Sequence, residues 1–158
     1  MRKILVPVDG SDLSDAAVRA VVAQARREPI AAIHLLNVQP KPSRYLGRFV
    51  SRTAWRDMQR AQAEKALAEA RRILDNAGLP YDVHVEVGKT PAAIARTADA
   101  LRVHEIIMGA EGGGLLASIR LWLLVSAVRR YATLPVVVVM NPERAPDLAL
   151  RWGTTASR

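Results

Sequence analysis

Two short segments carry residues whose types and spacing could do chemistry. Gly109-Ala-Glu-Gly112-Gly-Gly114 follows an apolar run and precedes a long apolar stretch. Glycines in such a turn let backbone N–H groups come close to phosphate oxygens, and a helix opening there adds positive potential. The spacing matches neither the Walker loop nor the dinucleotide fingerprint, and Glu111 inside the turn opposes a highly charged phosphate. Asp9-Gly10-Ser11 closes the first apolar run. Asp9 is the leading acidic candidate because a strand end would present it; its competing role is to cap the turn at Ser11. No base or nucleophile stands beside it, so no catalytic residue is assigned. The chain has no cysteine and only three scattered histidines, His34, His84 and His104. Disulfide scaffolds, cysteine-ligated metals and a histidine-rich metal cluster are thereby excluded, and no metal ligand is assigned.

These segments need a scaffold, and the pattern around them alternates strand and helix. With 158 residues, the chain suits a single domain, expected over residues 1–141 with a frayed tail over 142–158. No apolar run is long enough to span a bilayer. The start MRKILVPVDG has no long apolar core of the secretory kind, so a cytoplasmic protein is expected. Lys3–Val8 reads as a buried strand, followed by a helix capped by Ser11 with Leu13, Ala17, Val21 and Ala25 on one face. Ala32–Val38 is a second strand, and Gln39 to Val50 a loop. Thr53 to Ala77 is a long helix stopped by Gly78 and Pro80. Tyr81–Val87 alternates strictly, which predicts a half-exposed strand near a sheet edge. Thr90-Pro91 opens the next helix, with Thr90 as N-cap. Glu105–Gly109 is a strand, Leu116–Ala132 a helix and Leu134–Met140 the last strand. Strands separated by helices pair in parallel through right-handed crossovers. The expected fold is α/β: a doubly wound, Rossmann-like, five-stranded parallel sheet in the order 3-2-1-4-5, with its ligand at the strand ends where the order reverses. His34 and His84 then lie within strands as packed or surface residues, and His104 and Glu105 are expected to be solvated.

Val6-Pro-Val-Asp-Gly-Ser11, Gly88-x-Thr-Pro-Ala92, Ile106-Ile-Met-Gly109-x-x-Gly112 and Leu134-Pro-Val-Val-Val-Val139 together resemble the universal stress protein family, in the right order over residues 2–140. The resemblance implies a compact α/β fold that dimerises and, in many members, binds ATP through Gly-x-x-Gly, nine residues, then Gly-Ser or Gly-Thr. It implies that Pro7, Val8 and Asp9 lie near base and ribose, that the backbone at Val38 faces adenine, and that Met108, Gly109, Gly112 and Gly113 approach ribose and phosphates. It leaves ATP or AMP as the ligand candidates. The chain then departs from the pattern: nine residues past Gly112 stand Trp122-Leu123. An indole should obstruct the phosphates there, and leucine offers no hydroxyl. Ser126 could supply one only after a local shift of about three residues.

Residues 115–128 are almost entirely apolar, broken by Ser118, Arg120 and Ser126. A helix covering a sheet should keep a polar outer stripe, so its outer face, with Trp122, is expected to meet another protein. Val136, Val137, Val138 and Val139 form an adhesive edge strand; in the family that strand pairs with its copy, which makes a homodimer the expected partnership. Of the net charge of +8, residues 41–60 supply +5, from Lys41, Arg44, Arg48, Arg52, Arg56 and Arg60 against Asp57. With Tyr45, Phe49 and Trp55 this segment reads either as a solvated lid with packed aromatics or as an anion-binding patch. Contact with a membrane surface is the weaker option, and nucleic acid is not favoured because no motif for it is present. The function expected is a stress-response protein acting as a dimeric binding or regulatory module, with family-type ATP binding weakened or lost. The alternatives are an ATP- or AMP-binding member with slow or no hydrolysis, and a small α/β nucleotide-transferring enzyme.

Overall fold

In β1 (Arg2–Pro7), alternate residues are buried on opposite sides. Ile4 and Val6 join one apolar cluster and Leu5 the other, so both faces of the sheet are covered, as parallel pairing requires. The computed structural model describes residues 2–43, 48–110, 115–131 and 134–140; for Ala110, residues 115–122 and Met140 it describes the backbone alone. The tail expected over 142–158 lies outside the described residues.

β1 is followed by α1 (Asp12–Ala25), β2 (Ile30–Gln39), α2 (Arg52–Asn76), β3 (Asp82–Val87), α3 (Thr90–Leu101), β4 (Glu105–Ala110), α4 (Leu115–Tyr131) and β5 (Val136–Met140). The sheet is parallel throughout, as the alternating pattern requires, and has the expected order β3-β2-β1-β4-β5. The direction of winding reverses after β3. Hence α1 and α2 pack on one face through Ala17, Val18, Val21, Leu67, Ala70 and Leu74. The other face is covered by Ile94, Ala95 and Ala98 of α3 and Val128 of α4. β3 is an edge strand as expected, but of its apolar side only Tyr81 and Val83 pack on the core, while Val85 and Val87 are exposed.

The caps set the helix starts. Ser11 accepts a hydrogen bond from the Ser14 N–H (3.3 Å), and Ser51 accepts one from the Ala54 N–H (3.1 Å). Thr90 is not the N-cap expected of it: Lys89 holds that place without a side-chain bond, and Thr90 already lies in the helix. Pro91, whose missing N–H costs nothing in a first turn, follows it as the second residue of α3. Glu105 is also not solvated. It is 7% exposed, enclosed by Arg2 Nη1 at 3.4 Å and by Gln24, whose Nε2 donates to it at 3.4 Å. His104 accepts a hydrogen bond at Nδ1 from the Lys3 N–H.

Candidate functional site

The direction of winding changes between β1 and β4. These strands pair at Ile4↔Glu105 and Leu5↔Ile106, far fewer positions than β1 and β2, which stay in register to Pro7↔Leu36. The carboxyl ends of β1 and β4 therefore flank a crevice, the usual ligand position in a doubly wound sheet.

Pro7, Val8 and Asp9 form one lip. The Val8 side chain is buried in the α1–α2 layer, so Val8 can offer a ligand its backbone and not its side chain. Its N–H donates to the Leu36 carbonyl (2.8 Å). Its carbonyl accepts from Asn37 Nδ2 (2.7 Å), and Asn37 Oδ1 accepts from Gln39 Nε2 (2.6 Å). Asn37 and Gln39 are buried, and this amide chain fixes the ends of β1 and β2 relative to one another. Sequence reasoning passed over both residues. The available signal was two amides, two residues apart, in an otherwise apolar strand; such side chains share one face and, once buried, must find partners.

Asp9 is exposed. Its Oδ1 accepts from the Ser11 N–H (3.0 Å) and from the Ser11 hydroxyl. The turn-capping role is therefore filled, and the same bonds hold the carboxylate at the crevice. Gly10 makes the turn with φ +82°, and a Cβ there would stand 3.0 Å from Ala66 Cα of α2. Val38, next to this lip, is half-buried and packs towards α3 and α4.

On the β4 side the Met108 side chain is 5% exposed and belongs to the α3–α4 layer. Gly109 is required by packing: a Cβ on it would come within 1.7 Å of the Leu13 carbonyl oxygen. The glycine thus lets the first turn of α1 seat against β4, which places Asp9 and Met108 on opposite lips of one crevice. Gly112 and Gly113 lie outside the described residues. The backbone is helical from Leu115 to Tyr131, so Trp122, Leu123 and Ser126 all lie within α4. Ser126 is roughly 16 Å along the axis from the start of that helix and is not brought to the glycine turn. The side chain of Trp122 lies outside the described residues. Leu123 is 55% exposed.

The edge strand β5 carries Val136 and Val139 packed inward, while Val137 and Val138 are each 40% exposed. In the basic segment the aromatics do not all pack as expected of a lid: Phe49 is 72% exposed, Trp55 is half-buried, and Tyr45 lies outside the described residues. Arg48, Arg52, Arg56 and Arg60 are exposed.

Two buried titratable groups are perturbed. Asp15 of α1 is 7% exposed, and its Oδ1 has no hydrogen-bond partner among the described residues. Burial, followed by the nearby Glu69, pushes its carboxyl above the usual range. His34 is buried on β2, its Nδ1 3.2 Å from His84 Nε2 and 3.5 Å from Asp82 Oδ2. Burial, then His84, lowers its affinity for a proton. Neither group faces a nucleophile. Among the described residues no group of three or more His, Asp or Glu could hold a metal ion, and no helix is long and apolar enough to cross a membrane.

Comparison with known proteins agrees with this architecture. The model of the universal stress protein family matches residues 1–140. The universal stress protein MJ0531 of Methanocaldococcus jannaschii is 26% identical over 148 residues, covering 90% of this chain and 84% of that protein. Among solved structures, a universal stress protein from Archaeoglobus fulgidus in complex with dAMP superposes with a TM-score of 0.60 at 21% identity, over 87% of this chain and 97% of that one. An Arabidopsis thaliana family protein with AMP bound gives 0.63 at 17% identity, over 93% and 97%. A family match over nearly the whole described chain, on a sheet wound in the order that its sequence motifs demand, means that this chain belongs to the universal stress protein family.

Proposed function

We propose that this chain is a dimeric, non-catalytic regulatory module that takes an adenine nucleotide at the β1–β4 crevice, with the family's triphosphate cradle weakened. The observation that carries this reading is the extent of α4. Nine residues past Gly112 the backbone is already deep within a helix, so the N–H groups of Trp122 and Leu123 are committed to carbonyls four residues earlier. Groups so committed cannot be turned towards a phosphate. Asp9, held in place by Ser11, remains suited to accept hydrogen bonds from ribose hydroxyls, and family proteins of the same fold carry AMP or dAMP. The crevice fits a nucleoside, and the α4 turn does not fit a triphosphate in the family's manner. The non-catalytic reading is supported by the crevice lips: the one ionisable side chain among their described residues is Asp9, and the hydroxyl bonded to it, that of Ser11, is engaged in capping α1. The dimer reading is supported by the exposed valines of β5.

Mass spectrometry of the denatured protein, together with titration by a fluorescent ATP analogue, tests this. Co-purified AMP or adenosine-like ligands with weak ATP binding is the expected result. The double change Trp122→Gly with Leu123→Ser, which leaves these N–H groups within α4, should leave ATP binding weak. Tighter ATP binding on that change would show that side-chain bulk, and not the extent of α4, closes the cradle.

A further inference from the structure

The first half of α2 extends past the sheet, and its direction and charge identify it as part of the ligand site. The helix has 25 residues, or about 37 Å, and its buried residues, Ala63, Leu67, Ala70 and Leu74, begin only near its middle. Ala66 abuts Gly10 just beyond β1, and Gln59 Nε2 donates to the Pro40 carbonyl just beyond β2 (2.8 Å). Arg60, Arg56 and Arg52 therefore stand about 9, 15 and 21 Å further along the axis than Ala66, on the carboxyl side of the strands.

Their angular position matters more than their number. Arg56 precedes Ala63 and Ala70 by 7 and 14 residues, and Arg60 precedes Leu67 and Leu74 by the same steps. Residues seven apart fall on one helix face to within about 20°. Arg56 and Arg60 thus continue the core-facing line beyond the end of the core, and Arg52 precedes the half-buried Gln59 and Ala66 by the same steps. A bilayer or a nucleic acid would be met more readily by arginines on the outer face of α2.

Among the described residues, the charge on this line is not paired. In the second half of α2 the arginines are paired, Arg71 with Glu64 (3.1 Å) and Arg72 with Glu69 (2.6 Å), and Arg19 of α1 also reaches Glu69 (3.6 Å). None of Arg52, Arg56 and Arg60 makes an ion pair with a described residue. Like charges four residues apart repel, and cations at a helix N-terminus oppose the macrodipole. The arrangement is unfavourable by itself and is relieved by an anion.

We propose that Arg52, Arg56 and Arg60 hold the phosphate chain of a nucleotide whose base and ribose lie in the β1–β4 crevice, replacing the cradle weakened at α4. This rests on the nucleotide reading above. Guanidinium groups suit phosphate oxygens because their donors form a planar fork.

The test uses the full chain with three probes: adenosine, ATP and inorganic tripolyphosphate. In the triple variant Arg52→Gln, Arg56→Gln, Arg60→Gln, ATP and tripolyphosphate should bind at least tenfold more weakly, with adenosine within twofold of the unaltered protein. The salt dependence of ATP binding should flatten, and thermal stability at low salt should hold or rise as repulsion is relieved. The control Arg71→Gln with Arg72→Gln should keep ATP affinity. Equal weakening of adenosine and ATP, or no change in ATP, overturns the proposal. So does a variant that loses oligouridylate or phosphatidylglycerol vesicles while keeping ATP. The two readings fail separately: adenosine failing to bind the unaltered protein sinks the nucleotide reading, whereas tripolyphosphate failing to bind it sinks the arginine site.

Discussion

Gly109 shows how a residue that looks functional can be held by packing. Its hydrogen faces the Leu13 carbonyl, where a methyl carbon would sit at 1.7 Å, and the groups in contact are backbone that cannot rotate away. Gly109→Ala should cost about 2–3 kcal/mol, at the upper end for overpacking, read as a lower denaturant midpoint; an unchanged midpoint would mean that α1 can shift from β4 freely. Asp15 gives a pH prediction. Its folded-state pKa is raised above 3.8, chiefly by burial, so its protonated form favours the fold. That contribution is full below about pH 4 and is lost as pH rises through the folded-state value. Asp15→Asn should therefore raise the unfolding midpoint at pH 7, with the gain vanishing near pH 3. An equal gain at both pH values would point to a cause other than ionisation.

Caps that look alike in sequence do different work at the scale of elements. Ser11 starts α1, whose next turns bury Ala17, Val18 and Val21. Ser51 starts α2, whose first ten residues are exposed apart from Trp55 and Gln59. Loss of a serine cap costs about 1 kcal/mol, but only a helix end coupled to the core passes that cost to global unfolding. Ser11→Ala should thus lower global stability by about 1 kcal/mol. Ser51→Ala should leave the unfolding midpoint nearly unchanged and accelerate hydrogen exchange in the first turns of α2. Equal effects of both on the midpoint would show that the projecting half of α2 is coupled to the core.

At the scale of the molecule, β5 leaves one edge of the parallel sheet open, with Val137 and Val138 partly exposed on opposite faces. An apolar edge of this kind favours pairing with another strand. Light scattering should give a mass of two chains at micromolar concentration, and Val138→Glu should reduce it to one while the monomer stays folded. A single-chain mass for the unaltered protein would remove β5 as the dimer surface. Leu123 of α4 is also exposed, so a mass above two chains would implicate that helix as a second contact.

The sequence by itself determined the strand–helix alternation and the turn after β1, because apolar period, turn residues and caps act over a few neighbouring positions. Ser11, Gly78 and the strict alternation of 81–87 are of this local kind. Thr90 misled because a threonine before a proline suits either a cap or a first turn, and only the packed backbone selects between them. Tertiary structure alone decided that Glu105 is enclosed by Arg2 and Gln24, that Asn37 and Gln39 tie two strand ends together, and that Gly109 answers to Leu13. It also decided that α2 runs on past its buried residues, so that Arg52, Arg56 and Arg60 stand on the carboxyl side of the strands. Each of these depends on contacts between residues distant along the chain, and those exist only once both faces of the sheet have been covered.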